Sequence, residues 1–266
     1  MTFTQRFGPW ALVTGASSGI GEAFASLLAE RGLNLVLVAR RKDRLESLAT
    51  SLRAQHGIEI EAVELDLAAP EFTESLLHAT KSKDVGLVIS NAGFGFKGLH
   101  HLQDRQQLSA LIDVNVRAPT LIANAFASRL IERGRGGIVL TGSVEGFISS
   151  PWSGAYAATK AYVHSLGEAI WDELKPHGVN VLVLAPGATD TENLRRQGFD
   201  AQQMSNVMTP RAVAEQALAN IDKGPVYVPG RTNRAMIRFL GVIPKRKRIG
   251  LVGKGTKMAI DKAKAG

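Results

Sequence analysis

The chain has 266 residues, 45% of them hydrophobic and 21% charged, which is enough for one large α/β domain with a substantial core. It contains no cysteine, which excludes disulfides, thiolate nucleophiles and cysteine metal sites, and its six histidines show no metal-ligand spacing. The sequence has no apolar run of about 18 residues and no apolar signal-peptide core at Met1–Trp10. We expect a soluble, cytoplasmic protein without a metal.

The net charge of +8 is concentrated at the carboxyl end. Residues 231–266 hold 11 Lys/Arg and one acid, whereas residues 1–230 hold 21 basic and 23 acidic side chains. The basicity therefore says nothing about the ligand of the larger part. We divide the chain into a domain, residues 1–230, and a basic, partly apolar extension, residues 231–266.

A glycine-rich turn lies between the first predicted strand, Trp10–Thr14, and a predicted helix, Glu22–Arg31. Gly15, Gly19 and Gly21 permit a tight turn and a close approach of the backbone to a diphosphate. The start of the helix offers free amide donors and the positive end of its dipole. A glycine-rich turn without a ligand is the alternative, which the position between strand and helix disfavours.

The second predicted strand, Asn34–Ala39, ends in Arg40 and Arg41, where an NAD site would place a carboxylate for the ribose 2′-hydroxyl. An arginine there can pair with a 2′-phosphate, which favours NADP(H). The alternative is a solvated basic loop. The next strand ends at Asp66-Leu67, where Asp66 either accepts a bond from an adenine amino group or serves only the local structure.

The alternation of strand and helix continues to about residue 230. Further strands are predicted at 85–90, 137–140, 180–185 and 226–228, with a long helical stretch at 103–133 bent near Pro119. Seven short strands alternating with helices predict one doubly wound parallel sheet with helices on both faces. Ligands of such sheets bind at the carboxyl ends of the strands, which is where the motifs named here lie.

Tyr156 and Lys160 are four residues apart in a predicted helix, Trp152–Lys175, so they lie one turn apart on the same face. A nearby ammonium lowers the pKa of a phenol from about 10, which makes a tyrosine usable as a general acid/base. Ser143 follows the strand Gly137–Leu140, so its hydroxyl can point at the same spot. On its own such a pair is usually a solvated helix face, and the neighbouring cofactor motifs favour chemistry instead.

The motifs together resemble those of the single-domain short-chain dehydrogenases/reductases, in order and spacing, over roughly residues 8–230. They are Thr14-Gly15-x-x-x-Gly19-x-Gly21, Asn91-Ala92-Gly93, Asn115, Ser143, Tyr156-x-x-x-Lys160 and Pro186-Gly187. The resemblance implies a Rossmann-like, single-domain fold and a homodimer or homotetramer formed through the helices bearing Asn115 and Tyr156. It also implies an NADP-dependent carbonyl reductase or alcohol dehydrogenase.

The resemblance also implies roles for single residues. Tyr156 would exchange a proton with the substrate oxygen, Lys160 would keep the pKa of Tyr156 low and hold the nicotinamide ribose, and Ser143 would stabilise charge on the substrate oxygen. Asn115 would hold a water that links Lys160 to solvent; its alternative is a polar residue satisfied within a bent helix. The expected cofactor contacts are Gly15, Ser17, Ser18, Gly19, Ile20, Gly21, Arg40, Arg41, Asp66, Leu67, Asn91, Ala92, Gly93, Tyr156, Lys160, Pro186, Gly187, Thr189 and Thr191.

Two features depart from the family pattern. The family usually places Val or Ile where Thr189 stands, which affects only side-chain packing. The extension lies beyond the end of compact family members, and a solvated, partly disordered end is expected as one alternative for Gly250–Gly266. The others are a cover for the cleft or a subunit partner, and weak contact of residues 231–248 with anionic membrane surfaces. Nucleic-acid binding is not expected, because the basic run lacks interleaved aromatics.

The loops that border Tyr156 predict an apolar, partly aromatic pocket. Its candidate lining residues are Phe94, Phe96, Glu145, Phe147 and Trp152. Such a pocket suits a ketone, steroid-like, aromatic or fatty-acyl carbonyl compound, although each aromatic could equally belong to the core. Glu145 either contacts a polar or cationic group or faces solvent. A non-catalytic NADP-binding regulator is the alternative function, and intact Asn115, Ser143, Tyr156 and Lys160 argue against it.

Overall fold

The computed structural model describes residues 1–265, and side chains as far as Asp261. Within this range, seven strands form one parallel sheet in the order β3-β2-β1-β4-β5-β6-β7. The strands are β1 Trp10–Thr14, β2 Asn34–Ala39, β3 Ile60–Glu64, β4 Val85–Ser90, β5 Gly136–Thr141, β6 Val179–Leu184 and β7 Val226–Tyr227. The predicted doubly wound sheet is confirmed. The order reverses between β1 and β4, which places a crevice at their carboxyl ends.

Helices cover both faces of the sheet. They are α1 Phe3–Phe7, α2 Gly19–Ala29, α3 Lys42–His56, α4 Phe72–Ala79, α5 Arg105–Ile112, α6 Ala118–Arg133, α7 Gly154–Leu174, α8 Glu192–Arg196, α9 Pro210–Leu218, α10 Arg231–Val242 and α11 Lys245–Ala265. Phe24 of α2 and Val213 of α9 are buried against one face, and Phe126 of α6 and Val163 of α7 against the other. Because both faces are covered, the strands consist of nearly continuous apolar runs, and all six residues of β4 are buried.

The long helical stretch predicted at 103–133 contains a wide π-helical turn, Asp113–Arg117, between α5 and α6. Pro119 stands in the first turn of α6, directly after this wide turn. The irregularity therefore lies just before the proline, and it buries Asn115, whose side chain points toward the cleft side of α7.

The extension is helical, contrary to the partly disordered end expected as one alternative for Gly250–Gly266. After α10 ends at Val242, the carbonyl of Pro244 accepts the first bond of α11 from the Arg248 amide, at 3.0 Å. The basic run that begins at Lys245 is thus the first turn of a helix. Gly266 lies outside the described residues. None of the helices described over residues 1–265 is long and apolar enough to cross a membrane.

Candidate active site

A cleft of about 600 Å³ opens at the carboxyl ends of the central strands. It runs from the glycine-rich turn after β1, past Arg41 after β2, to Ser143 after β5 and Tyr156 on α7. The sheet thus brings together motifs that are separated by more than a hundred residues in the sequence.

The glycine-rich turn is held tightly against the end of β4. The Thr14 hydroxyl accepts bonds from the Asn91 and Ala92 amides, both at 3.0 Å. Gly15 has a φ of +67°, and a Cβ there would lie 2.9 Å from the Ala92 Cα. Gly21 faces the Gly15 carbonyl so closely that a side chain there would clash with it. Together with the free amides at the start of α2, this close-packed turn fits a diphosphate.

Arg41 is the cation that the structure places at the turn. Its guanidinium donates to the Ser17 hydroxyl at 3.0 and 3.2 Å, to the Ser18 hydroxyl at 2.9 Å and to the Glu192 carboxylate at 2.6 Å. Arg44 also reaches Glu192, at 3.2 Å. The hydrogen bond with Arg41, and to a smaller extent that with Arg196, lowers the pKa of Glu192 to about 2. The two serine hydroxyls hold the guanidinium at the turn, and a guanidinium held there fits a phosphate group.

Arg40, Asp66 and Leu67 line the same end of the cleft as Arg41, which is called the adenosine end because the sequence predicts adenosine binding there. The Asp66 carboxylate accepts a bond from the Ala68 amide at 3.0 Å, which agrees with the structural alternative and leaves its second oxygen available. The Asn91 side chain donates to the Thr14 carbonyl at 3.2 Å and accepts from the Thr141 hydroxyl at 3.4 Å. Asn91 therefore ties β1, β4 and β5 together beneath the cleft.

Tyr156 and Lys160 lie on one face of α7, and the Lys160 ammonium is 5.6 Å from the centroid of the Tyr156 ring. Lys160 is buried and donates to the Thr141 carbonyl at 2.8 Å. Ser143, the residue that caps the turn after β5, is also buried and lies beside the phenol. The helix and the end of β5 therefore bring three polar side chains to one point.

The surroundings of Tyr156 act against the lowering of its pKa that is expected from Lys160. Burial raises the pKa of Tyr156, the Glu145 carboxylate raises it further, and a hydrogen bond with Ser143 acts in the opposite direction. Burial also lowers the pKa of Lys160 to about 8, since its ammonium is removed from water. Lys160 itself bonds to the Thr141 carbonyl and not to the phenol.

Asn115 is satisfied by protein groups. Its side chain accepts from the Phe94 amide at 3.1 Å and donates to the Phe94 carbonyl at 2.9 Å and to the Thr159 hydroxyl at 3.1 Å. A Cβ on Gly93 would lie 3.2 Å from both the Asn115 oxygen and the Lys160 nitrogen. Asn115 thus fixes the loop after β4 next to Lys160, in agreement with the alternative of internal satisfaction.

Lys97 is the residue that the sequence reasoning missed. Its ammonium bonds to the Glu145 carboxylate at 2.6 Å and to the Ser153 hydroxyl at 2.9 Å, and it lies 5.8 Å from the centroid of the Tyr156 ring. One oxygen of the Glu145 carboxylate is therefore paired with Lys97, and the side chain remains 21% exposed at the cleft. A lysine 48 residues from its partner gives no sequence signal, because only the fold brings the two loops together.

The aromatic lining differs from the prediction. Phe94 and Glu145 line the cleft, as do Phe199 and Met204, but Phe96, Phe147 and Trp152 do not. Phe147 packs edge-on against His164, with ring centroids 4.5 Å apart. That packing buries His164 and lowers its pKa to about 4, so the imidazole is neutral near pH 7. The short helical turn after β5 directs the Phe147 ring inward, away from the cleft.

The segment after β6 borders the other side of the cleft. The Thr189 hydroxyl donates to the Gly187 carbonyl at 3.1 Å, and the Thr191 hydroxyl caps α8 by accepting from the Leu194 amide at 3.3 Å. The Pro186 carbonyl accepts from the Val144 amide at 3.0 Å, which joins this segment to the turn after β5. The two threonine hydroxyls are thus used by the backbone.

The extension forms part of the cleft wall. Met236 of α10 and four residues of α11, namely Val252, Gly255, Thr256 and Ala259, line it. A Cβ on Gly253 would lie 3.0 Å from Pro151, so α11 packs closely on the loop before α7. This agrees with the expectation that the extension covers the cleft.

Comparison with known proteins places this cleft in context. Residues 9–202 match the family profile described as short chain dehydrogenase. A 7beta-hydroxysteroid dehydrogenase of Clostridium sardiniense is 31% identical over 255 residues, covering 96% of this chain and 98% of that protein.

Two solved structures resemble the whole chain. One, from work on the stereoselectivity of a 7beta-hydroxysteroid dehydrogenase, has a TM-score of 0.88 and 28% identity, with 95% of this chain and 99% of that chain covered. The other, a short-chain dehydrogenase from Sphingobium yanoikuyae in complex with NADPH, has a TM-score of 0.79 and 35% identity, with 90% and 97% covered.

Proposed function

This chain belongs to the short-chain dehydrogenase family, and we propose that it interconverts a bulky apolar ketone and its secondary alcohol, with Tyr156 as the general acid/base. It is an oxidoreductase that transfers hydride between a nicotinamide cofactor and a carbonyl or alcohol substrate. The observation that supports the proposal most is that Ser143, Tyr156 and Lys160 meet in the same cleft as the glycine-rich turn.

The cofactor is NADP(H). A relative of this family has been solved with NADPH, and this chain has the cation needed to select it, because Arg41 is fixed by Ser17 and Ser18 at the end of β2. Gly15, Gly19 and the start of α2 would hold the diphosphate. When bound, the cofactor supplies or accepts the hydride.

The protein's own part is to place the substrate oxygen and move one proton. Tyr156 donates its phenolic proton to the carbonyl oxygen during reduction and takes it back during oxidation. Ser143 donates a hydrogen bond to the same oxygen as negative charge develops there. Lys160, held by the Thr141 carbonyl, supplies a positive charge that favours the phenolate when the proton has left.

We propose a steroid-like or similarly bulky ketone as the substrate class. Several curated relatives are named 7beta-hydroxysteroid dehydrogenase, and the cleft wall carries the apolar side chains of Phe94, Phe199, Met204 and Met236. A large apolar wall built partly by the extension favours a substrate that buries much apolar surface. It gives a small polar sugar little to bind.

Turnover of a defined set of compounds with NADPH or NADH tests this function. The set is a 7-oxo steroid, a 7β- and a 7α-hydroxysteroid, an aryl alkyl ketone and a 3-oxoacyl thioester. We expect NADPH-dependent reduction with the highest kcat/KM for the steroid. Tight NADPH binding without turnover of any compound would favour the regulator instead. A preference for the thioester would keep the chemistry and reject the steroid class.

We propose a homodimer or homotetramer formed through the region of α5, the wide turn and α7. Ile112 and Tyr162 are exposed there, and the Tyr162 hydroxyl bonds only to Thr120 at 2.9 Å among the described residues. Light scattering of the wild type and of Ile112→Asp measures the assembly. A monomeric wild type would reject the proposal.

A cytoplasmic location also stays a prediction, which cell fractionation tests.

Weak contact with an anionic membrane surface is proposed for residues 231–248. Phe239 and Val242 of α10 are exposed beside its basic side chains, the combination that surface-binding helices use. Because the extension also lines the cleft, truncation would disturb both properties at once. The double variant Phe239→Ser/Val242→Ser keeps the helix and is the cleaner test. Its binding to vesicles with and without phosphatidylserine is compared with that of the wild type. Equal binding of the two proteins would reject the contact.

A further inference from the structure

Two ammonium groups approach the Tyr156 ring from different elements. Lys160, on the same helix, is 5.6 Å from the ring centroid, and Lys97, on the loop after β4, is 5.8 Å away. Lys97 has a counter-charge, the Glu145 carboxylate at 2.6 Å, whereas Lys160 has none within 4 Å among the residues that the structure describes. The exposed fractions of the Lys97 and Glu145 side chains are 10% and 21%, so water screens the pair little.

The Glu145 carboxylate is held from one side. Its first oxygen bonds to Lys97, whereas its second is buried and has no hydrogen-bond partner among the described residues. The Glu145 amide donates to the Ser143 hydroxyl at 3.2 Å, so the acid belongs to the same short turn as Ser143. A buried carboxylate with one unpaired oxygen lowers the stability of the fold unless a counter-charge compensates it.

We propose that Lys97 is a positioning residue for Tyr156: by binding Glu145 it holds that carboxylate in place and compensates its charge, so that the phenol can give up and regain its proton. The inference rests on the proposed function of Tyr156. It assigns Lys97 and Glu145 to the reaction without either touching the reacting atoms.

Three charged side chains from three different elements surround the Tyr156 phenol. Lys160 comes from α7, Lys97 from the loop after β4, and Glu145 from the turn after β5. His164, one turn along α7 from Lys160, is neutral because its pKa is about 4. Loss of Lys97 alone leaves a negative charge beside the phenol, loss of Glu145 alone leaves a positive one, and loss of both restores the original sum.

A double-mutant cycle of Lys97→Met and Glu145→Gln tests this logic. The first readout needs no substrate: ultraviolet absorbance of tyrosinate during an alkaline titration, with Tyr156→Phe in each background to isolate one phenol. We expect Glu145→Gln to lower the pH at which Tyr156 ionises by at least about 1, and the double variant to return toward the wild type. Lys97→Met should keep Tyr156 protonated to the highest pH at which the protein stays folded.

The second readout is the pH dependence of kcat/KM for oxidation of a 7β-hydroxysteroid by NADP+. Near pH 8, Lys97→Met should lower kcat/KM by about tenfold or more, because each step of about 1 in the pKa of Tyr156 reduces the phenolate population tenfold. Adding Glu145→Gln should recover most of that loss. A merely structural lysine would give no recovery when its partner is also removed.

Lys83→Met is the matched control. Lys83 is also a largely buried lysine, 13% exposed, paired with Glu61 at the far edge of the sheet. We expect the tyrosinate titration and the pH profile of this variant to equal those of the wild type.

These experiments distinguish a failure of the proposed role of Lys97 from a failure of the proposed role of Tyr156. If Tyr156→Phe retains turnover, the role of Tyr156 fails, whereas the tyrosinate titration still reports on Lys97 and Glu145. If Tyr156→Phe is inactive and neither Lys97→Met nor Glu145→Gln moves the titration or the pH profile, the inference is overturned. Should Lys97→Met fail to fold, Glu145→Gln alone decides: an unchanged titration overturns the proposal, and a downward shift supports it.

Discussion

The two ends of the cleft each hold a cation paired with a glutamate, and the pairs differ in depth. At the catalytic end, Lys97 and Glu145 are 10% and 21% exposed; at the adenosine end, Arg41 and Glu192 are 33% and 28% exposed, with Arg44 beside them. A buried pair acts strongly on a neighbouring phenol and is hard to exchange. A half-exposed pair is screened by water and can exchange its anion.

This difference suits the ligands that each end serves. The proton that Tyr156 is proposed to move would need a fixed electrostatic environment, whereas a cofactor phosphate at Arg41 would have to enter and leave with every turnover. Any phosphate that binds Arg41 competes with the Glu192 carboxylate, which already accepts a bond at 2.6 Å. On the proposed function, the same kind of ion pair would stay in place at one end of the cleft and be exchanged at the other.

Tyr156→Phe should break the catalytic end alone. We expect kcat to fall by a factor of about 10² to 10⁴, the range for loss of a general acid/base. NADPH affinity, measured by fluorescence titration, should remain near that of the wild type, since the adenosine end is untouched. Tyr162→Phe, on the same helix with its exposed hydroxyl on Thr120, is the control. Equal losses in both variants would remove Tyr156 from the chemistry.

Lys160→Met should separate activity from stability. The variant should lose turnover and yet melt at a higher temperature, because burial has lowered the pKa of Lys160 to about 8. In the wild type the unfolded chain binds more protons than the folded one between pH 8 and the ordinary value of 10.5, so stability rises with pH across that window. Below pH 8 the buried charge is a constant cost.

Calorimetry from pH 7 to 10 measures this effect. The difference in Tm between the Lys160→Met variant and the wild type should shrink as pH rises. Each kcal/mol of difference in the free energy of unfolding corresponds to about 2–4 °C in Tm. A variant that melts below the wild type at pH 7 would mean that the bond to the Thr141 carbonyl outweighs the cost of burial.

Arg41→Ala should break the adenosine end alone. NADPH affinity should fall about 10- to 150-fold, the equivalent of a charged hydrogen bond of about 1.5–3 kcal/mol, while NADH affinity stays unchanged. Arg40→Ala is the comparison, since Arg40 lines the cleft but Arg41 carries the bonds to Ser17 and Ser18. A larger loss in Arg40→Ala would assign phosphate recognition to that residue instead.

Glu192→Gln should give the smallest change, a severalfold tighter binding of NADPH at low salt that disappears at high salt. Its effect on folding has a defined pH window. The pKa of Glu192 is lowered from 4.5 to about 2, so the ion pair stabilises the fold fully above 4.5 and is lost as pH falls toward 2. Wild type and variant should therefore become equally stable in acid, as measured by urea unfolding. Weaker NADPH binding in the variant would contradict the competition.

The features that the sequence predicts well are local ones. The strand, glycine-rich turn and helix around Gly15, and the spacing of Tyr156 and Lys160, follow from periodicity over a few residues, and the observed sheet agrees with the predicted order of elements. The pairs Lys97–Glu145 and Arg41–Glu192 join residues 48 and 151 apart, and no local pattern encodes them.

The surroundings of the Tyr156 phenol and the lining of the cleft could not be predicted from the sequence for the same reason. Helical spacing alone suggests that Lys160 acts on the phenol, but the position of the Thr141 carbonyl decides where the ammonium bonds. Likewise, Phe94 and Phe147 are equivalent in the sequence, and only the course of each loop directs one ring to the cleft and the other onto His164.

The packing of α11 on the cleft has a practical consequence for handling this protein. A purification tag or a surface linkage added after α11 would be attached to the helix whose Val252 and Ala259 line the cleft. The amino end is the safer place, because α1 packs at the opposite ends of the strands, where Phe7 contacts the starts of β4 and β5 at Gly86 and Gly137. Immobilisation through the amino end should therefore leave the cleft facing the solution.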